Sequence, residues 1–225
     1  MAGVRRNVPN AASSGLQAQA YSVLLDVVSD GTLKAGRALD VDLLADRTGL
    51  PSSIIDAALE RLASHGFVER AAGQRYVVAA CTRDEARRVL VRQGDIDAAA
   101  FEDPVVPLGN DRRVIGLAIV AQGREALSVG SLPRLAEADL AFHRMLADVA
   151  AGPDADRDDV EHWTRLRRVA SEWWAHASAT QAARAWEEHA AILEALSRGA
   201  TGDGAQLVRR HVVSSIEAVS RFDAT

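Results

Sequence analysis

Cysteine is almost absent: Cys81 is the only one in 225 residues, which excludes an internal disulfide and fits a reducing cytoplasm. Lysine is as scarce, with Lys34 the single lysine among 26 Lys and Arg residues, an imbalance read as base-composition bias rather than function. No run of 18 apolar residues occurs, so no transmembrane helix is expected. The first fourteen residues, MAGVRRNVPNAASS, hold two arginines but no apolar segment, so no secretory signal is expected. What remains is the make-up of a folded domain protein, 48% hydrophobic and 25% charged, long enough for one large domain or two small ones. The net charge of −5 excludes a generally basic nucleic-acid coat. Residues 1–80 carry eight basic and eight acidic side chains, so the whole deficit lies beyond them. A neutral N-terminal domain can still bind DNA if its positive charges cluster.

The N-terminal eighty residues read as three helices and a hairpin. In GLQAQAYSVLLDVVSD, Leu16, Ala20, Val23, Leu24 and Val27 recur at helical spacing, and Asp30-Gly31 supplies a stop. GTLKAGRALD is a turn with a short extended piece. Asp40 is placed to cap a second helix, VDLLADRT, which Gly49 ends in a left-handed conformation. Ser52 or Ser53 opens a third helix with Ile55, Ala58, Leu59 and Leu62 on its apolar face, and Gly66 closes it. GFVERAAGQRYVVAA gives two short strands around an AAGQ turn, with Val68, Tyr76 and Val78 facing a core. A tight turn between the second and third helices followed by a hairpin is a winged helix-turn-helix.

The runs GTLKAGRAL, LLADRTGL and AALERLASHGFVER resemble the DNA-binding domain of the GntR family over nearly all of residues 16–79. The resemblance implies that the third helix enters the major groove and the wing touches minor groove or backbone. The family's third helix usually opens with serine-arginine-threonine-proline. Here Pro51, Ser52, Ser53, Ile54, Ile55 and Asp56 stand instead, removing guanidinium donors and adding a charge that DNA repels. The expected DNA contacts are Arg47, Ser52, Ser53, Arg61, Arg70 and Arg75, joined by Arg5 and Arg6 on a flexible arm spanning residues 1–14.

Beyond Thr82 strand signals nearly vanish and helical periodicity takes over. Six helices are expected, the first from Thr82 to about Asp103 with a disturbance at Gly94, the others near 111–127, 132–150, 158–178, 180–198 and 203–222. They should form an antiparallel bundle. The fold class is therefore mainly α: a winged helix-turn-helix over 15–80 and an all-helical domain over 82–225.

Four residues of the bundle belong together. Asp139 and His143 are four apart, on one face of one helix. His189 and His211 each lie eleven residues from Ala200, so an antiparallel hairpin brings them to one level. One carboxylate and three imidazoles on three helices suit a divalent transition metal such as zinc, nickel or manganese. His65, His162 and His176 fall in no such pattern and read as surface or structural. Trp163, Trp173, Trp174 and Trp186 crowd two neighbouring helices, where packing accounts for them and at least one is expected to line a cavity.

DLAFH, EHAAILEAL and a histidine 22 residues after the preceding one resemble the FadR C-terminal (FCD) effector domain, most densely from Gly130 to Val219. The resemblance implies that Asp139, His143, His189 and His211 coordinate a metal beside a small carboxylate metabolite. It further implies an arginine on the first helix facing that carboxylate, with Arg92 the nearest counterpart and Arg88 second.

Together these features describe a cytoplasmic, ligand-responsive repressor that binds operator DNA as a homodimer, since two-fold proteins match symmetric half-sites. Two rivals follow from the same residues. A metal-dependent hydrolase would use the open coordination position to activate water, but Glu188, beside His189, points about 100° away on its helix and makes a poor base. A sensor that has lost DNA affinity would account for Ser52 and Asp56.

Overall fold

The structure is a computed structural model that describes residues 11–30, 33–73, 75–102, 108–150 and 159–220. The expected AAGQ turn and the loops EDPVVPLGND and AGPDADRDD fall partly outside them, as do Arg5, Arg6 and Gly31. Contacts divide the chain into two compact units, residues 1–80 and 81–225.

In the first unit, α1 (Ala11–Ser29) precedes β1 (Ala38–Leu39), α2 (Val41–Thr48), α3 (Ser52–Ser64), β2 (Val68–Arg70) and β3 (Tyr76–Val78). The first helix begins at Ala11, so the last four residues expected to form a flexible arm are helical. Asp40 caps α2 by accepting from the backbone N–H groups of Asp42 and Leu43 at 3.0 Å. Gly49 closes that helix at φ 69°, a left-handed conformation that a Cβ would strain. Pro51 occupies the cap position before α3 and has no side-chain donor or acceptor to offer, so Ser52 is already inside the helix. The short extended piece after α1 is the third strand of the wing. It pairs antiparallel with β3, giving the order β1-β3-β2, with Leu39 opposite Tyr76 and Val68 opposite Val78. Leu24, Ile55, Leu59, Leu62, Phe67 and Tyr76 are almost fully buried and form the core under this sheet.

Among the described residues the second unit has six helices: α4 (Arg83–Ala99), α5 (Asn110–Ser128), α6 (Leu132–Ala150), α7 (Val160–His176), α8 (Ala179–Ser197) and α9 (Thr201–Val219). Thr82 and Ser178 cap α4 and α8 through their hydroxyls, the latter within a capping box closed by Gln181. α4 packs on α6, α7 and α9, while α8 packs on α5 and α9. The expected disturbance at Gly94 does not occur. The helix runs through it, and the missing side chain instead lets α9 approach, since a Cβ there would lie 2.4 Å from a Val212 methyl. Gly123 does the same for the Trp186 indole, which would meet a Cβ at 2.1 Å. Two apolar clusters fill the bundle, one around Trp173, Trp174 and Trp186, the other around Phe142, Leu146, Ile192 and Leu196. His189 stands between them, stacked on Phe142 at 4.2 Å and edge-on to Trp186 at 4.9 Å.

Candidate metal centre and nucleic-acid interface

The amphipathic faces of α6, α8 and α9 turn Asp139, His143, His189 and His211 toward one another inside the bundle. The three imidazoles are 0–6% exposed, and each offers a nitrogen within 4.8 Å of the others. Nε2 of His189 lies 3.2 Å from Nε2 of His211 and 3.6 Å from Oδ1 of Asp139. That same oxygen is 3.9 Å from Nε2 of His143. Ligand atoms sharing a tetrahedral cation at zinc–nitrogen distances are separated by about 3.4 Å, so these spacings fit a single ion with little movement.

Outer partners fix which nitrogen faces inward. Nδ1 of His143 donates to Oδ2 of Asp97 on α4 at 2.8 Å, and Nδ1 of His211 donates to Oε2 of Glu188 on α8 at 2.8 Å. Each pairing turns Nε2 toward the cluster, where it presents a lone pair once its proton has left, the arrangement that raises the basicity of a metal-binding imidazole. Glu188 is held in turn by the Ser214 hydroxyl at 2.9 Å. Nδ1 of His189 has no hydrogen-bond partner among the described residues, so this ring is oriented by Phe142 and Trp186 instead.

Electrostatics follow from that geometry. Burial opposes charge on His143, but the Asp97 and Asp139 carboxylates outweigh it and carry the imidazole up to about 9. Burial and the neighbouring His211 and His143 push His189 well below the usual histidine range, so it is neutral and has a lone pair to give. Burial raises Asp139, and His143 and His211 only partly offset it. Burial also works against ionised Glu188, yet its hydrogen bond to His211 holds it below the usual carboxylate value.

Next to the cluster is a cavity of about 30 Å³, room for about two water molecules. Gln93, Asp97, Asp139, His143, His211 and Ser215 supply its polar lining, and Trp173 and Trp174 its aromatic wall.

Residues 113–214 match the family model of the FCD domain. That match runs from α5 to α9 within the C-terminal unit. No curated protein matches the chain by sequence. Solved structures with the same fold include E. coli McbR/YncC, 18% identical with a TM-score of 0.72 over 92% of this chain and 97% of that one. A protein of Rhodococcus sp. RHA1, named as a GntR transcriptional regulator, is 17% identical with a TM-score of 0.73 over 92% and 98%. Listeria monocytogenes Lar, described as controlling expression of the agr system, is 16% identical with a TM-score of 0.60 over 92% and 98%. The chain thus shares the fold of these structures, a winged helix-turn-helix unit followed by a helical bundle.

Within the C-terminal unit the two expected effector arginines are not at the cavity. Arg92 has a 60% exposed side chain paired with Asp159, and Arg88 is exposed. Counting along α4 from Ala86 and Val89 puts Gln93, Gly94 and Asp97 on the buried face, which turns Arg88 and Arg92 outward. His162, read as surface or structural, is buried and donates from Nε2 to Oε1 of Gln93 at 2.8 Å. Gln93 then donates to Asp97 at 2.7 Å, so a hydrogen-bonded chain runs His162–Gln93–Asp97–His143.

In the winged unit the expected DNA-contacting residues do not converge. Arg47, at the last turn of α2, and Arg75, in the wing, are exposed. Ser53 is exposed, and Ser52 is too, its hydroxyl donating to Asp42 at 3.2 Å. Arg61 lies over the Tyr21 ring at 4.2 Å. Arg70 pairs with Glu60 and donates to the Tyr76 hydroxyl at 3.2 Å. That hydroxyl stands 3.0 Å from Asp56 and 2.8 Å from Glu60 and can donate to one of them at a time. Asp56 is therefore joined to the wing rather than being an isolated negative charge on α3.

Proposed function

We propose that this protein is a DNA-binding transcription regulator, a repressor acting as a homodimer, whose FCD domain holds a divalent transition metal through Asp139, His143, His189 and His211. The observation that supports it most is the convergence of three Nε2 nitrogens and one carboxylate oxygen inside the bundle that carries the FCD match. Zinc, nickel and manganese all suit these donors, because such sites select by availability and geometry. The metal supplies a Lewis-acidic anchor beside the cavity. Asp97 and Glu188 orient two of its imidazole ligands, while Phe142 and Trp186 position the third. A ligand entering there would change how the helices pack against one another and so bias the winged unit toward or away from DNA. That effect requires different affinity for the two forms.

The carboxylate effector implied by the family resemblance would have to be held without a guanidinium, since Arg92 and Arg88 face outward. Operator binding is tested by a gel shift on the DNA upstream of the protein's own gene, run across a salt series with the metal-loaded and the chelated chain. A shift that weakens steeply with salt and changes with metal is expected. No shift at low salt in either state would favour the sensor that has lost DNA affinity.

A further inference from the structure

The outward side of α3 carries a pattern of acceptors that selects a base. α3 is the second helix of the α2–α3 turn, the element whose N-terminal residues reach base edges in the major groove. Ile55, Ala58, Leu59 and Leu62 face the core, which leaves Ser53, Asp56 and Glu60 on the outward side. Arg61 is the one basic residue of the helix, and it lies over the Tyr21 ring at 4.2 Å. Such a face has no free guanidinium to donate to guanine O6 and N7. Its charged groups are carboxylates, which only accept.

The two carboxylates are not equivalent. Glu60 is paired with Arg70, takes the Tyr76 hydroxyl at 2.8 Å and stands one turn further from the helix N-terminus. Asp56 is exposed and has no cationic partner among the described residues. Its Oδ1 lies 3.0 Å from the Tyr76 hydroxyl. Tyr76 is only 2% exposed, so that hydroxyl is a fixed support on the wing side of the carboxylate. Oδ2 of Asp56 has no partner among the described residues. The group is therefore oriented and has one oxygen to offer.

Two bases present an amino group in the major groove, cytosine through N4 and adenine through N6. Adenine sets its N7 acceptor beside that amino group, where a carboxylate oxygen would meet a lone pair. Cytosine has no acceptor on its own major-groove edge. Resting on the reading of α3 as the helix that enters DNA, we propose that Asp56 is a specificity residue. It accepts a hydrogen bond from a cytosine amino group in each operator half-site. Its charge weakens binding to every sequence, and that loss is offset only where a donor stands within reach.

Selection from a random duplex pool by the full chain tests this, followed by titration of the selected duplex and its single-base variants. Wild type is expected to enrich cytosine at one position of the half-site and to bind that duplex about tenfold more tightly than the variants changed there. Asp56→Asn can still accept from Tyr76, and its amide pairs bidentately with adenine N6 and N7, so adenine is expected at the same position with the rest of the site unchanged. Asp56→Ala is expected to lose the preference at that position alone. A carboxylate that merely repels DNA gives a different result: Asp56→Asn then tightens binding to every sequence by a similar factor and keeps the preferred base. That outcome overturns the proposal, as does a wild type that is retained on DNA at low salt but enriches no sequence. A chain that retains no DNA at low salt ends the DNA-binding reading together with this one.

Discussion

The two units use their polar residues in opposite ways. In the C-terminal unit, side chains from α4, α6, α7, α8 and α9 meet at one buried point, with carboxylates, imidazoles and an amide linked by hydrogen bonds of 2.7–2.8 Å. In the winged unit, the arginines and serines expected to face DNA are spread over α2, α3 and the wing, and several are already engaged by neighbours. Convergence in a buried interior makes each residue matter to the whole cluster, because an unpaired buried polar group costs far more than an exposed one. Dispersion on a surface makes each contact small and salt-dependent. Substitutions in the first unit should therefore produce many small effects, and those in the second a few large ones.

The largest effect is expected from His189→Ala. This ring touches both His211 and Asp139 and lies between the two apolar clusters. Zinc affinity, followed by competition with a chromophoric chelator, should fall by more than the roughly 10- to 100-fold that loss of an outer partner typically costs. Unchanged zinc affinity in a folded variant would separate the cluster from metal binding altogether.

Next come the outer carboxylates. Asp97→Asn leaves Nδ1 of His143 facing an amide, and zinc affinity should drop about 10- to 100-fold. Glu188→Gln should cost less, since its side chain is 20% exposed and water can replace part of what is lost, whereas that of Asp97 is 2% exposed. Equal losses from the two variants would show that burial does not set the size of the outer-partner contribution here.

How far these residues were legible in the sequence follows from their separation along the chain. Asp139 and His143 share a helix face by spacing alone, and the symmetric distances of His189 and His211 from Ala200 place them level in a hairpin. Element types were equally readable, because Gly49, Asp40 and Thr82 mark helix ends by local chemistry. Asp97 and Glu188 were not readable, for one shared reason. Each has an acidic residue close by, Asp95 two positions before Asp97 and Glu187 one before Glu188, and which of each pair faces inward depends on the rotation of the helix. On α4 the apolar stripe is only Ala86, Val89 and Gly94, too weak to fix that rotation, and the family resemblance pointed to Arg92 where the buried residue is Gln93. On α8 it is Glu187 that turns out to meet Arg124 at 2.9 Å, leaving Glu188 for His211. His162 shows no periodic signal of its own, and its partner Gln93 lies 69 residues away.

A smaller effect is expected in the winged unit from Tyr76→Phe. The hydroxyl accepts from Arg70 and donates to Asp56 or Glu60, joining the wing to α3. Removing it should destabilise that unit by about 1 kcal/mol in denaturant unfolding, with no change in zinc affinity. A change in zinc affinity would mean that the two units are coupled more tightly than their separate cores suggest.

The smallest effects are those of single surface arginines, and here the structure distinguishes residues that the sequence could only group. Arg47 is exposed at the end of α2, where a phosphate could be met without breaking anything. Arg70 is engaged by Glu60 and lies 5.1 Å from the Tyr76 ring centroid, and Arg61 covers Tyr21. Arg47→Ala should reduce the slope of log affinity against log salt by about one, the signature of one lost phosphate contact, and leave folding untouched. Arg61→Ala should barely move that slope, instead lowering stability through the lost packing on Tyr21. If Arg61→Ala changed the slope as much as Arg47→Ala did, the guanidinium would have to leave Tyr21 on binding, and dispersion on this surface would be a property of the free protein alone.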